Sequence, residues 1–318
     1  MSGQRKLIIG SRSSDLALWQ ANFIKDAIEK QNKNIEVIIK LIATKGDKIV
    51  DVALSKIGDK GLFTKELEIE LLGGGIDIAV HSLKDLQTEI PKGLKLAAVT
   101  ARHSAEDVLI GREPGTTIKN LALGATVATG SLRRKSQLKH IRSDINVVEL
   151  RGNVPTRIQK FRDSKWDAII LARAGVERLN LGKHISSYID RADILPAVGQ
   201  GALGIEIAGR NKFADEVIQT VHDENAFLAV TAERSLLKSL EGGCQVPIGA
   251  FGEIKGQDLY LSAVVASLDG TKACKRKTKG RKETAEKIGN TLADDLLKAG
   301  AGKILEKIYR DQRSSHVV

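Results

Sequence analysis

Ile76-Asp77-Ile78-Ala79-Val80-His81-Ser82-Leu83-Lys84-Asp85 runs from an apolar strand straight into a polar, charged end. A strand buried on both faces, as parallel sheets require, reads as a nearly unbroken apolar run. In open α/β sheets, ligands gather at the carboxyl ends of such strands. The stretch therefore predicts an α/β fold and places His81, Ser82, Lys84 and Asp85 where a site belongs. Taken alone, Lys84 beside Asp85 also reads as a surface ion pair, the commoner origin of such neighbours.

The flanking chain repeats this layout. Leu7-Ile8-Ile9 is a short strand, and Gly10 to Asp15 is a polar turn carrying Arg12. Leu16, Trp19, Phe23, Ile24, Ala27 and Ile28 then recur at helical spacing. Helix N-termini attract anions, although spacing alone favours a plain N-cap by Ser14 or Asp15. Ile35 to Ile42 is a second buried strand. Ala43 to Leu62 is rich in Gly, Lys and Asp, and reads either as a lid aiming Lys56 and Lys60 at anions or as a solvated loop. Phe63 to Leu72 is helical and stops at Gly73-Gly74-Gly75. Leu94 to Val99 is a further strand.

Near residue 100 the pattern restarts. Ala125 to Ala128 is a strand, followed by Thr129-Gly130-Ser131 and a helix with Arg133 and Arg134 in its first turn. Cations are disfavoured at that end of a helix, so the two arginines are easiest to explain if they face a bound anion. Val147 to Leu150 leads into Arg151-Gly152-Asn153-Val154-Pro155-Thr156-Arg157. Asp167 to Leu171 leads into Arg173 and Arg178. Arginine thus recurs after successive strands, and its planar fork suits carboxylate or phosphate. Gly199-Gln200-Gly201-Ala202-Leu203-Gly204 matches G-x-G-x-x-G, but Pro196 precedes it and strand-like sequence follows. That order excludes a dinucleotide fingerprint and suggests a glycine-rich crossing between domains.

From about Asn225 a third region begins, with a helix over Ala226 to Leu240 and the turn Glu241-Gly242-Gly243-Cys244-Gln245-Val246-Pro247-Ile248-Gly249. Strands around 250–254, 259–267 and Cys274 follow, then a final helix over Glu283 to Leu297. Cys274 lies among lysines with no glycine turn and reads as incidental. Cys244, held on glycines, could be ligand, nucleophile or inert. No His/Cys cluster has zinc spacing. No Ser-His-Asp constellation stands out, although His81 lies close to Asp85 in the chain.

The 318 residues predict two or three domains. No apolar run approaches the roughly 20 residues that span a bilayer, and the first residues lack a signal-peptide core. Two cysteines make no disulfide framework, so a reducing cytoplasm is expected. The net charge of +11 invites nucleic acid, but an aromatic content of 3% argues against stacked bases. Small polyanions fit the strand-end arginines better.

Seven stretches together resemble the porphobilinogen deaminase family, in family order and along nearly the whole chain. They are Arg12 to Gln20, GDKGLFTKE at Gly58, VHSLKD at Val80, GSLRR at Gly130, LRGNVPTR at Leu150, LPAVGQGALGIE at Leu195 and EGGCQVPIG at Glu241. The resemblance implies a cytosolic monomer of three α/β domains, the first two like a periplasmic-binding-protein pair with a double crossover, the third small and α+β. The expected limits are 1–101 plus 202–221, 102–201 and 222–318. It implies porphobilinogen as substrate, no nucleic-acid or membrane partner, and a dipyrromethane cofactor joined to Cys244 by a thioether.

Matched residue by residue, Asp85 is the catalytic aspartate. Lys84, Asp85, Thr129, Ser131, Arg133, Arg134 and Arg157 fall at cofactor contacts. Arg12, Ser14, Gln20, Arg151, Arg157 and Arg178 fall at substrate contacts, and Lys56 and Lys60 on a flexible loop. Three positions depart from the family pattern: Asp15 and Gln87 stand where proline is common, and Gly130 where serine is. The implied substrate carries two carboxylates and an aminomethyl arm, which suits an arginine-lined site and one acid–base carboxylate. The rival readings are a two-domain anion-binding protein without catalysis, which leaves Cys244 without a task, and a nucleic-acid binder, which needs its cations on exposed faces.

Overall fold

The computed structural model describes residues 4–48, 61–241 and 246–314. Lys56, Lys60 and Cys244 lie outside the described residues. In chain order the strands are β1 (Arg5–Ser11), β2 (Ile35–Leu41), β3 (Ile78–Ser82), β4 (Leu94–Val99), β5 (Asp107–Gly111), β6 (Thr126–Ala128), β7 (Asn146–Val148), β8 (Ala168–Ala172), β9 (Ser187–Ile189), β10 (Leu203–Ala208), β11 (Ile248–Lys255), β12 (Asp258–Ala266) and β13 (Ala273–Arg281). They form three sheets, ordered β2-β1-β3-β10-β4, β7-β6-β8-β5-β9 and β11-β12-β13. The described residues divide into two compact units. One draws on 1–50, 59–103 and 202–227, the other on 104–201 and 228–318.

In the first unit, β1 lies parallel to β2 and β3, while β10 runs antiparallel to β3 and β4. The helix Asp15–Gln31 buries Ala21, Ile24 and Ile28 against Ile78 and Val80 of β3. The opposite face of β3 puts Ala79 against Leu67 and Leu71 of the helix Lys65–Gly73. Both faces are covered, which is why the strand is apolar without alternation.

The second unit holds the other two sheets. β6 is parallel to β7 and β8, and β5 is antiparallel to β8 and β9. Val127 and Ile170 face one core, Ala128, Ile169 and Leu171 the other. The two five-stranded sheets share a plan. Each receives the first strand formed after the chain crosses over, β5 after 104 and β10 after 202, as its fourth strand, antiparallel to both neighbours. This is the double crossover expected from the sequence.

The third sheet is an antiparallel meander. Leu261 and Val265 of β12 pack on Leu236, Leu292 and Leu296 from the helices Glu224–Ser239 and Ala285–Lys298. The expected final helix is corrected to two, Ala285–Lys298 and Ala301–Ser314. The break is at Gly300, whose φ of 98° is a left-handed stop that glycine adopts without steric penalty. Cys274 is half-buried, its Sγ donating to Ala299 O at 3.2 Å.

Candidate active site

The turns that leave β1 and β3 bring distant residues onto one pocket of the first unit. Arg12, Ser14, Gln20, Phe63, Thr64, His81, Ser82 and Asp85 line it. It encloses about 460 Å³, part of it open to solvent, within the usual range for small-molecule sites. Ser14 is the N-cap of the first helix, its Oγ accepting the Ala17 N–H at 3.4 Å. The Arg12 guanidinium lies 4.3 Å from the centre of the Phe63 ring. Gln20 is buried and donates from Nε2 to Ser82 Oγ at 2.7 Å, so it braces the strand end.

Leu83, Lys84 and Asp85 form a 3₁₀ turn that leaves Asp85 exposed and Lys84 half-buried. Two contacts with the start of β10 hold this turn. The Leu83 N–H donates to Ala202 O at 3.1 Å. The Leu83 side chain rests on Gly204, where a Cβ would sit 2.7 Å from Leu83 Cδ1. The last glycine of the G-x-G-x-x-G match therefore gives room beneath the turn bearing Asp85. Gln87, one of the departures, reaches over Gly61, where a Cβ would lie 2.5 Å from its Nε2.

In the second unit the strand-end arginines take several forms. Ser131 caps the helix Leu132–Ile141, accepting the Arg134 N–H at 3.4 Å, and Thr129 is buried just before it. Arg133 and Arg134, expected to face a bound anion, are paired instead with a carboxylate of the chain itself. Arg133 Nη1 donates to Asp107 Oδ2 at 2.8 Å, and Arg134 Nη2 to Asp107 Oδ1 at 2.7 Å. Gln200 Nε2 adds a third donor at 2.9 Å. Burial alone would push the Asp107 carboxyl up, but Arg133 and Arg134 outweigh it and hold it far below the usual carboxylate range. Sequence reading missed Asp107. The signal for it was the need of two helix-start arginines for a counter-charge.

One carboxylate does not balance two guanidiniums. A buried positive charge remains, and the Nε–H groups of Arg133 and Arg134 have no acceptor among the described residues. Both facts fit a bound group that carries carboxylates. Arg151 and Arg157 are half-buried, with Arg157 Nε donating to Gly152 O at 2.7 Å. Arg178 is buried and donates from Nη2 to Gly201 O at 2.9 Å, and burial lowers its pKa to about 10. At Gly130 a Cβ would lie 2.6 Å from Leu150 O, so this backbone leaves no room for a side chain.

Two family models match the chain. One, "Porphobilinogen deaminase, dipyromethane cofactor binding domain", covers residues 7–216. The other, "Porphobilinogen deaminase, C-terminal domain", covers 227–298. The chain belongs to the porphobilinogen deaminase family. The porphobilinogen deaminase of Carboxydothermus hydrogenoformans is 48% identical over 308 residues, 97% of this chain and 99% of that one. That of Chloroherpeton thalassium is 47% identical over 97% of this chain and 99% of its own. Among solved structures, the methionine-binding protein MetQ matches 79% of this chain and 99% of its own, with TM-score 0.44 and 13% identity. As a porphobilinogen deaminase, the chain is a transferase of tetrapyrrole biosynthesis. It joins four porphobilinogen molecules head to tail into hydroxymethylbilane, releases ammonia and works from a dipyrromethane primer. The buried surplus charge at Arg133 and Arg134 suits that carboxylate-rich primer. Among the described residues, no helix is long and apolar enough to cross a membrane.

Proposed function

We propose that Asp85 is the catalytic carboxylate of each condensation, and that Cys244 is the tether of the primer. The observation that carries the first assignment is the pocket that gathers Arg12, Ser14 and Asp85 from the ends of two neighbouring strands. Arg12 is placed to take a substrate carboxylate, with the Ser14 hydroxyl beside it. Asp85, exposed at the pocket wall, can protonate the leaving amine and then, as carboxylate, stabilise the cationic methylene-pyrrole that remains. In the other unit, Arg133 and Arg134, with Thr129 and Ser131 at the same helix start, would hold primer carboxylates. Arg151, Arg157 and Arg178 would hold those of the substrate and the growing chain. When bound, the dipyrromethane supplies the nucleophilic pyrrole from which elongation begins.

The Cys244 link must outlast every turnover, which suits a thioether. Lys84 adds a cation beside Asp85, and Lys56 and Lys60 would supply more from the loop. The working form is proposed to be a cytoplasmic monomer with no nucleic-acid or membrane partner. Intact mass of the purified protein tests the tether. Wild type should carry two pyrrole units and Cys244→Ala none. A modified Cys244→Ala protein would move the attachment to Cys274.

A further inference from the structure

His81 lies on the pocket wall, yet the scheme above gives it no task. It sits on β3, buried, four residues before Asp85. Its partner is not Asp85. His81 Nε2 lies 3.0 Å from Glu206 Oε2, and Glu206, on β10, is fully buried. The other Glu206 oxygen, Oε1, is buried without a hydrogen-bond partner among the described residues. Behind them is a second carboxyl, Glu68 of the helix Lys65–Gly73, also buried. Burial pushes the Glu68 carboxyl up, and the neighbouring Glu206 pushes it further.

A buried carboxylate with an unsatisfied oxygen is destabilising, so its presence calls for an explanation. The other charged groups around the cluster have their own places. Glu66 is on the same helix as Glu68, and Arg12, Lys84 and Asp85 are at the pocket. Lys95 of β4 is paired with Asp215 at 2.7 Å. None of them replaces Glu206 as the imidazole's partner.

We propose that His81 accepts the proton which the attacking pyrrole loses in each condensation, with Glu206 as the residue that orients it. This rests on the reading that pyrroles condense at Asp85. The carbon–carbon bond forms between the free α-carbon of the attacking ring and the methylene carbon that has lost ammonia. The α-carbon–hydrogen bond then breaks, and its electron pair restores the aromatic ring. The proton passes to His81 Nδ1, because Nε2–H is held by Glu206. The imidazolium, stabilised by Glu206, then returns the proton through water to the Asp85 carboxylate, so both groups are restored and the amine leaves as ammonia.

The reaction needs a proton donor for the amine and an acceptor for the ring hydrogen. Two groups, Asp85 and His81, let both be in the right state at once. Imidazole is the side chain best matched to proton uptake near neutral pH. A carboxylate on its far nitrogen fixes the tautomer.

The test uses His81→Asn and Glu206→Gln holoenzymes with porphobilinogen deuterated at its free α-position. His81→Asn is expected to keep the covalent pyrrole adduct by intact mass and a melting temperature near wild type. Its kcat should fall by about 100-fold or more, and a primary isotope effect larger than that of wild type should appear as ring deprotonation becomes limiting. Glu206→Gln should move both readouts in the same direction. It carries the test if His81→Asn does not fold. Near-wild-type kcat in the folded variants, or slow turnover without an enlarged isotope effect, would overturn the proposal. Substantial turnover in Asp85→Asn would instead reject the Asp85 reading on which this rests.

Discussion

Asp85 and Asp107 are two aspartates of one chain put to opposite uses. Asp85 follows β3 and stays exposed at a pocket wall. Asp107 opens β5, fully buried, with Arg133, Arg134 and Gln200 all donating to it. The first carboxylate is open to whatever enters the pocket, and the second is held ionised by its donors. What separates them is the number of donors that the surrounding backbone delivers and the water that burial removes.

The comparison can be broken from either side, and the largest effect is expected at Asp85. Asp85→Asn should lower kcat by about 10²–10⁴-fold while the melting temperature and the pyrrole adduct stay unchanged. Substantial remaining turnover would end its catalytic assignment. Asp107→Asn should do the reverse and act first on stability. It leaves two buried guanidiniums facing a neutral amide, which typically costs about 3–5 kcal/mol, read as a shift in denaturant midpoint.

The pH dependence has a definite sign. The folded-state pKa of Asp107 is depressed, so its contribution is complete above its unfolded value of about 4 and is lost as pH falls through the folded value. Wild type should therefore lose stability steeply in acid, and Asp107→Asn should show a flatter slope there.

Smaller effects sharpen the picture on the Asp85 side. Gly204→Ala should cost about 1–3 kcal/mol by overpacking against Leu83. It should also lower kcat by moving the turn that carries Asp85; unchanged kcat would show that the turn tolerates the shift. The smallest change is expected at Glu68. Its folded-state pKa is raised, so its contribution is complete in acid and declines as pH rises through that value. Glu68→Gln should remove this decline, seen as a denaturant midpoint that varies less from weakly acidic to weakly basic pH.

The sequence makes the parallel strands and their helices legible because burial on both faces leaves long apolar runs, as in 76–80. β5 and β9 are not legible. β5 begins with the charged Asp107, and β9 has only three residues, Ser187–Ile189. The polar strand ends announce the site, since Arg12, Asp85 and the later arginines each follow an apolar run. Their partners are another matter. Asp107 is 26 and 27 positions from its two arginines, and Glu206 is 125 from His81. Such pairings are set by sheet order, which periodicity does not encode. Gln20 shows the same limit, since spacing cannot separate a ligand contact from a brace under Ser82.

The fourth-strand position of β10 also bears on how the protein is born. β3 and β4 are complete by residue 99, yet the strand that joins them ends at Ala208. Between these points the ribosome must release the whole of the second five-stranded sheet. Until then β3 and β4 present open edges, a liability in a nascent chain. The second sheet, whose strands lie within 107–189, closes from local sequence alone. It is free to form first, leaving the sheet next to Asp85 to be completed afterwards, when the returning strand slots between edges made about a hundred residues earlier; only the third sheet, β11 to β13, is made later still.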